Sequence, residues 1–146
     1  MAITSAIAPQ LLDTNNFTVV INKEWQISTA RHRAKYMAVA LGYNINNTAE
    51  LVTSVSELAY NLFFHANSGG EITLSVIQRD NKTGISLVSH DSGPGIFSID
   101  NALQDGYSTN GGLGGGLPGT KRLMDEFSIA STPHGTLITC IKWRSS

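Results

Sequence analysis

Between Gly106 and Arg122 the chain reads GYSTNGGLGGGLPGTKR, and this stretch holds seven of its 14 glycines. So dense a run does not suit a packed strand or a helix interior, because each glycine there surrenders backbone freedom and contributes no side chain. Three readings fit the composition: a linker, a flexible loop, or a bare backbone that wraps a ligand. A linker needs a folded unit on either side, and 146 residues suit one domain rather than two. Wrapping an anion is chemically apt, since glycine lets N–H groups approach closely and the helix expected next offers its positive N-terminal end. Ordering seven glycines costs roughly 3–7 kcal/mol, so the stretch is expected to be disordered or displaced until a ligand offsets that cost.

The rest of the composition narrows the class. Hydrophobic residues make up 41% and charged residues 14%, the balance of an ordinary globular domain. A net charge of -1 gives no pull toward nucleic acid or an anionic membrane. No apolar run reaches the length of a membrane span, and MAITSAIAPQLLDTNN has no basic region ahead of a long apolar one. The single cysteine, Cys140, falls in an apolar strand pattern and reads as core packing, which suits a reducing cytoplasm. Residues 1–15 are expected to be loosely ordered and 16–146 to form one domain.

Hydrophobic periodicity supplies the elements. Phe17, Val19 and Ile21 alternate as in a half-buried strand. Ile27, Ala30, Ala34, Met37, Ala38 and Leu41 recur at helical spacing and stop at Gly42, predicting a helix from about Ser28 to Leu41 with Ser28 as N-cap. A second helix is expected after YNINN, with Asn47 and Glu50 as a capping box and Leu51, Val52, Val55, Leu58, Ala59, Leu62 and Phe63 as its apolar stripe. EITLSVIQR and GISLVSH form a hairpin about DNKTG. A short helix near Asp100–Gln104, a helix from Pro118 to Phe127 and a closing hairpin, FSIAS then TLITCIKW, complete the chain. The order implies an α+β sandwich, a mostly antiparallel sheet covered by helices on one face.

Familiar phosphate motifs do not explain the glycines. Gly114 to Lys121 nearly makes a Walker A loop, but its lysine is one place late. Gly114, Gly116 and Gly119 match G-x-G-x-x-G, yet no strand leads directly into them and no acidic residue answers about 20 positions on. No H-R-D or D-F-G element of a eukaryotic-type kinase is present.

Two other stretches offer compatible chemistry. Glu57 and Asn61 are four apart and share a helix face opposite the apolar stripe, with His65 continuing the row. Asparagine is a poor helix-interior residue, so Asn61 needs a reason. The row is either a solvated polar face or a site at which the Asn61 amide ligates Mg²⁺ and Glu57 accepts a proton from a nucleophile. SHDSGPGIF then follows a strand. Asp91 there either opens a turn or presents its carboxylate to an exocyclic amine, with Gly93 and Gly95 admitting a flat ring.

Taken in order, Glu57/Asn61, Asp91/Gly93/Gly95, Gly112/Gly114/Gly116/Leu117 and Gly135/Thr136 resemble the motifs of the GHKL (Bergerat) ATP-binding fold, from about Phe17 to Trp143. SELAYNLFFHA, DSGPGI, GYSTNGGLGGGLPGTKRLMDEFSI and IKW are similar to the RsbT-type serine/threonine kinases, relatives of the anti-sigma-factor kinases RsbW and SpoIIAB. Phe63-Phe64 is bulkier than is usual after the asparagine.

The resemblance implies a two-layer α+β sandwich with ATP and Mg²⁺ as cofactors. It makes Asp91 the partner of the adenine amine and sets Thr136 near the base. Asn61 becomes the Mg²⁺ ligand, Glu57 the general base, His65 a phosphate contact, and Lys121 or Arg122 candidates to reach the γ-phosphate. Substrates would be STAS-domain proteins of a stressosome. A released kinase would then bind and activate a downstream phosphatase or other output, with both monomer and homodimer open. The alternative is an anti-sigma-type module that binds nucleotide without transferring phosphate.

Overall fold

A computed structural model of the chain describes residues 16–65, 69–93 and 116–145. The expectations for residues 1–15, for the helix near Asp100–Gln104 and for the glycine-rich run up to residue 115 lie outside the described residues. The elements in chain order are β1 (Asn16–Ile21), α1 (Glu24–Ala40), α2 (Ile45–His65), β2 (Gly70–Arg79), β3 (Lys82–Asp91), α3 (Gly116–Leu123), β4 (Glu126–Thr132) and β5 (Gly135–Trp143). Among the described residues the strands form one five-stranded sheet in the order β1-β2-β3-β5-β4, with every neighbouring pair antiparallel.

The period-2 alternation read from the strands is the inward face of this sheet. Ile72 and Leu74 of β2, Ile85 and Leu87 of β3, and Ile138 and Cys140 of β5 are buried against the helices. All six apolar positions expected of the first helix are buried too, as are Leu51, Val55, Leu58, Ala59 and Leu62 of α2. Burial pushes the Cys140 thiol up to about 12, so it stays protonated and serves as packing.

Boundaries differ from expectation where caps decide them. Helix α1 begins four residues before Ser28. The Gln26 side-chain carbonyl accepts hydrogen bonds from the backbone N–H of Asn22 (2.7 Å) and Lys23 (2.8 Å), which fixes the chain's entry. Its C-terminus is as expected. Gly42 takes φ +83°, and Gly42 N–H and Tyr43 N–H donate to the Val39 and Ala38 carbonyls in a Schellman motif. At α2 the cap is Asn44, whose side-chain oxygen accepts from Asn47 N–H at 2.7 Å, so the helix starts earlier than the Asn47/Glu50 reading placed it. The β2–β3 turn is tighter than DNKTG: Asp80 and Asn81 carry φ of 54° and 68°, the pair of positive values that a two-residue type I′ hairpin requires. Helix α3 runs Gly116–Leu123, earlier at both ends than the expected Pro118–Phe127, and Phe127 belongs to β4.

Among the described residues one charged residue is buried. Lys142 of β5 has a side chain only 6% exposed, and its ammonium reaches the Leu123 carbonyl at 2.8 Å, Glu50 at 2.8 Å and Asp125 at 3.5 Å. Its backbone carbonyl accepts the Tyr43 hydroxyl. The segment that follows α1, the first turns of α2, the end of α3 and strand β5 therefore meet at one residue.

Candidate functional site

The sheet register sets one row of side chains across the inward face at its end. Ile21, Gly70, Asp91, Thr136 and Ser131 are successive cross-strand partners from β1 to β4. Directly opposed residues share a face, so Asp91 and Thr136 both look toward the helix layer. The Asp91 carboxylate accepts the Gly93 N–H at 2.8 Å, which orients it at the strand end. The Thr136 and Ser131 hydroxyls are hydrogen-bonded at 2.9 Å.

This row is built around missing side chains. A methyl added at Gly135 would fall 2.2 Å from the Asp91 carbonyl oxygen. One at Gly70 would fall 2.4 Å from the His90 carbonyl oxygen and 2.6 Å from Leu62 Cδ2. All three distances are far inside van der Waals contact, so these glycines let the neighbouring backbone and helix α2 close on Asp91. Leu62 follows Asn61 directly, so the Asp91 row adjoins the C-terminal half of α2.

On α2, Glu57 and Asn61 stand one turn apart and face the first residue of α3. A methyl at Gly116 would lie 3.3 Å from Asn61 Nδ2, 3.4 Å from Asn61 Oδ1 and 3.6 Å from Glu57 Oε2. Gly116 is buried, and its carbonyl accepts the Thr120 hydroxyl at 2.8 Å. Partial burial raises the Glu57 carboxyl above its ordinary 4.5, and no charged neighbour is among the causes. A carboxylate made more basic and set beside a carboxamide and a helix N-terminus can accept a proton from a hydroxyl.

The structure brings together Glu57, Asn61 and Gly116 as one group, and Asp91, Gly93 and Thr136 as another. Leu117 is partly buried against the core. Lys121 and Arg122 occupy the exposed last turn of α3. His65 closes α2, but its side chain lies outside the described residues, as do Gly95, Gly112 and Gly114. Sequence reasoning does not reach Ser131, Thr120 or Gly70. An SxxxxT pair flanking a hairpin turn and a glycine opening a strand are the only signals.

The donor set suits nucleotide and Mg²⁺. Among the described residues no cluster of three or more His, Cys, Asp or Glu stands ready to hold a metal. A lone carboxamide fits an ion that keeps most of its shell as water and phosphate oxygens. Gly116, having no side chain, lets the start of α3 approach Asn61 closely, which sets the carboxamide beside a helix N-terminus of the kind that binds phosphates.

Comparison with known proteins follows the same lines. The model of the histidine kinase-like ATPase domain matches residues 20–142. The chain is 44% identical over 126 residues to the serine/threonine-protein kinase RsbT of Bacillus subtilis, covering 86% of this chain and 94% of that one. It is 33% identical over 129 residues to an anti-sigma F factor of Caldanaerobacter subterraneus, covering 84% and 89%. A crystal structure of the RsbU and RsbW domains of a Mycobacterium tuberculosis protein superimposes with TM-score 0.60 at 19% identity, covering 90% of this chain and 33% of that longer one.

Proposed function

We propose a specific role for a chain that belongs to the histidine kinase-like ATPase domain family and is a protein serine/threonine kinase. It phosphorylates STAS-domain partners in a cytoplasmic partner-switching module. Once released, it binds and activates a downstream output such as a phosphatase. Residues 16–146 act as the kinase domain. The observation that carries this reading is the convergence of Glu57 and Asn61 on the start of α3, with the Glu57 carboxyl raised by burial.

In this reading Asp91 accepts a hydrogen bond from the adenine amine, and Thr136, held by Ser131, lies beside the base. Asn61 ligates Mg²⁺, and the glycines at 112, 114 and 116 let backbone N–H groups meet the triphosphate. When bound, Mg²⁺ neutralises charge on the phosphates and aligns the γ-phosphoryl group. Glu57 takes the proton from the acceptor serine or threonine hydroxyl as the phosphoryl group arrives. Such transfer depends chiefly on positioning and electrostatics, so this short set of groups suffices.

The test is mass spectrometry of a candidate STAS-domain partner after incubation with the protein and Mg·ATP. Phosphoserine or phosphothreonine on the partner is expected. Stable binding of the partner with no added phosphate would instead identify an anti-sigma-type binding module.

A further inference from the structure

Helix α3 has one end in the candidate site and the other tied down at a distance. Gly116 packs against Asn61 and Glu57, while the carbonyl of Leu123, the last residue, accepts a hydrogen bond from Lys142 Nζ at 2.8 Å. The same ammonium holds Glu50 of α2 at 2.8 Å. Lys142 thus joins the C-terminus of α3 to the helix that carries Glu57 and Asn61, seven and eleven residues further along. A cation at a helix C-terminus also complements the helix dipole, whose positive end here points toward Gly116.

From this geometry we infer that Lys142 is a positioning residue for the phosphate end of the nucleotide site. It sets the axial placement of α3 against α2, and so where the N–H groups of Gly116 and Leu117 stand relative to Asn61. Glu50 and Asp125 are 35% and 40% exposed, so water can serve their carboxylates when Lys142 is removed. The placement of α3 is less easily replaced. Asp125 N–H, just past the helix, donates to the Ile141 carbonyl at 3.0 Å and ties the chain to β5 alone, whereas the Lys142 ammonium ties it to α2 as well. Asp91 and Thr136 sit at the other end of β3 and β5 from this contact, so the adenine end is independent of it.

The inference rests on the kinase reading for what the start of α3 meets, and its test has one arm that does not. Lys142→Met keeps the apolar stem and removes the charge. With Mg·ATP and Mg·ADP it is expected to bind about tenfold more weakly than wild type, with adenosine affinity unchanged. Lys142→Arg, which retains a donor and the charge, should recover most of the loss. In nucleotide-free protein, amides of residues 119–123 should exchange faster in Lys142→Met while those of β2 and β3 keep wild-type rates. Equal weakening of adenosine and ATP, or unchanged exchange in α3, would overturn the inference. Failure of wild type to bind any nucleotide would overturn the kinase reading and leave the exchange arm to decide the role of Lys142.

Discussion

Glu50 and Glu57 lie seven residues apart on the same helix, and their carboxyl groups are pushed in opposite directions. The Lys142 ammonium, with Asn47, holds Glu50 below its ordinary value, whereas partial burial lifts Glu57 above it. Two like residues two turns apart thereby acquire different roles, since one keeps its charge to tie elements together and the other becomes a stronger base.

The Glu57 shift has a consequence for stability. Its folded-state value exceeds the ordinary 4.5, so the stability it contributes is present below that pH and lost as pH rises through the folded value. At neutral pH the ionised carboxylate is a burden on the nucleotide-free protein. Glu57→Gln should therefore melt higher than wild type at pH 7, and the gap should close toward pH 4 in calorimetric scans. A lower melting temperature at pH 7 would contradict the assigned burial.

Glu50 behaves in the opposite sense. Its lowered value contributes stability above the ordinary 4.5, and this is lost as pH falls through the folded value. Glu50→Gln should destabilise at pH 7 and flatten the acid limb of the unfolding curve. An acid limb as steep as that of wild type would show that another carboxylate governs it.

The glycines of the site separate by what surrounds them. Gly70→Ala would drive a methyl to 2.4 Å from the His90 carbonyl oxygen, and overpacking of this kind costs about 1–3 kcal/mol. Gly119 lies within α3 with nothing within 4 Å of an added methyl, so Gly119→Ala should stabilise by about 0.5–1 kcal/mol. Denaturant melts of the two variants should move in opposite directions; a Gly70→Ala variant as stable as wild type would refute the packing of β2 against β3 and α2, and a less stable Gly119→Ala would refute the open surroundings of Gly119.

Asp91→Asn keeps an oxygen for the Gly93 N–H, so the strand end should survive while the acceptor charge is lost. ATP affinity should fall by roughly 10–100-fold, the range of a charge-assisted hydrogen bond of about 1.5–3 kcal/mol. Titration calorimetry with ATP and GTP reads it, and an unchanged preference for ATP would remove Asp91 from the base contact.

Much of this is legible in the chain. The alternation through Ile72, Leu74 and Val76 names the inward face of β2, and the i, i+4 pair Glu57/Asn61 names the polar face of α2, because both signals are local periodicities. Gly42 ends α1 as expected because only one residue's φ is at stake. The start of α1 escapes a reading of the sequence because Gln26 caps it from inside the helix, while Ser28 is an exposed interior residue. Lys142 is invisible as a tether: in sequence it merely continues an apolar strand, and its partners Glu50 and Leu123 are distant along the chain. Gly70 cannot be read either, since its reason is the His90 carbonyl and Leu62 side chain brought against it by the fold.

Above all, the proposed chemistry requires Glu57 to activate an acceptor hydroxyl while other residues hold the nucleotide. The decisive measurement is single-turnover transfer from labelled Mg·ATP to a STAS-domain partner, made for wild type and Glu57→Gln alongside ATP affinity. The expected result is a loss of at least about 100-fold in the transfer rate, with ATP affinity within about twofold of wild type. Undiminished transfer by Glu57→Gln would contradict the assignment of Glu57 as the base.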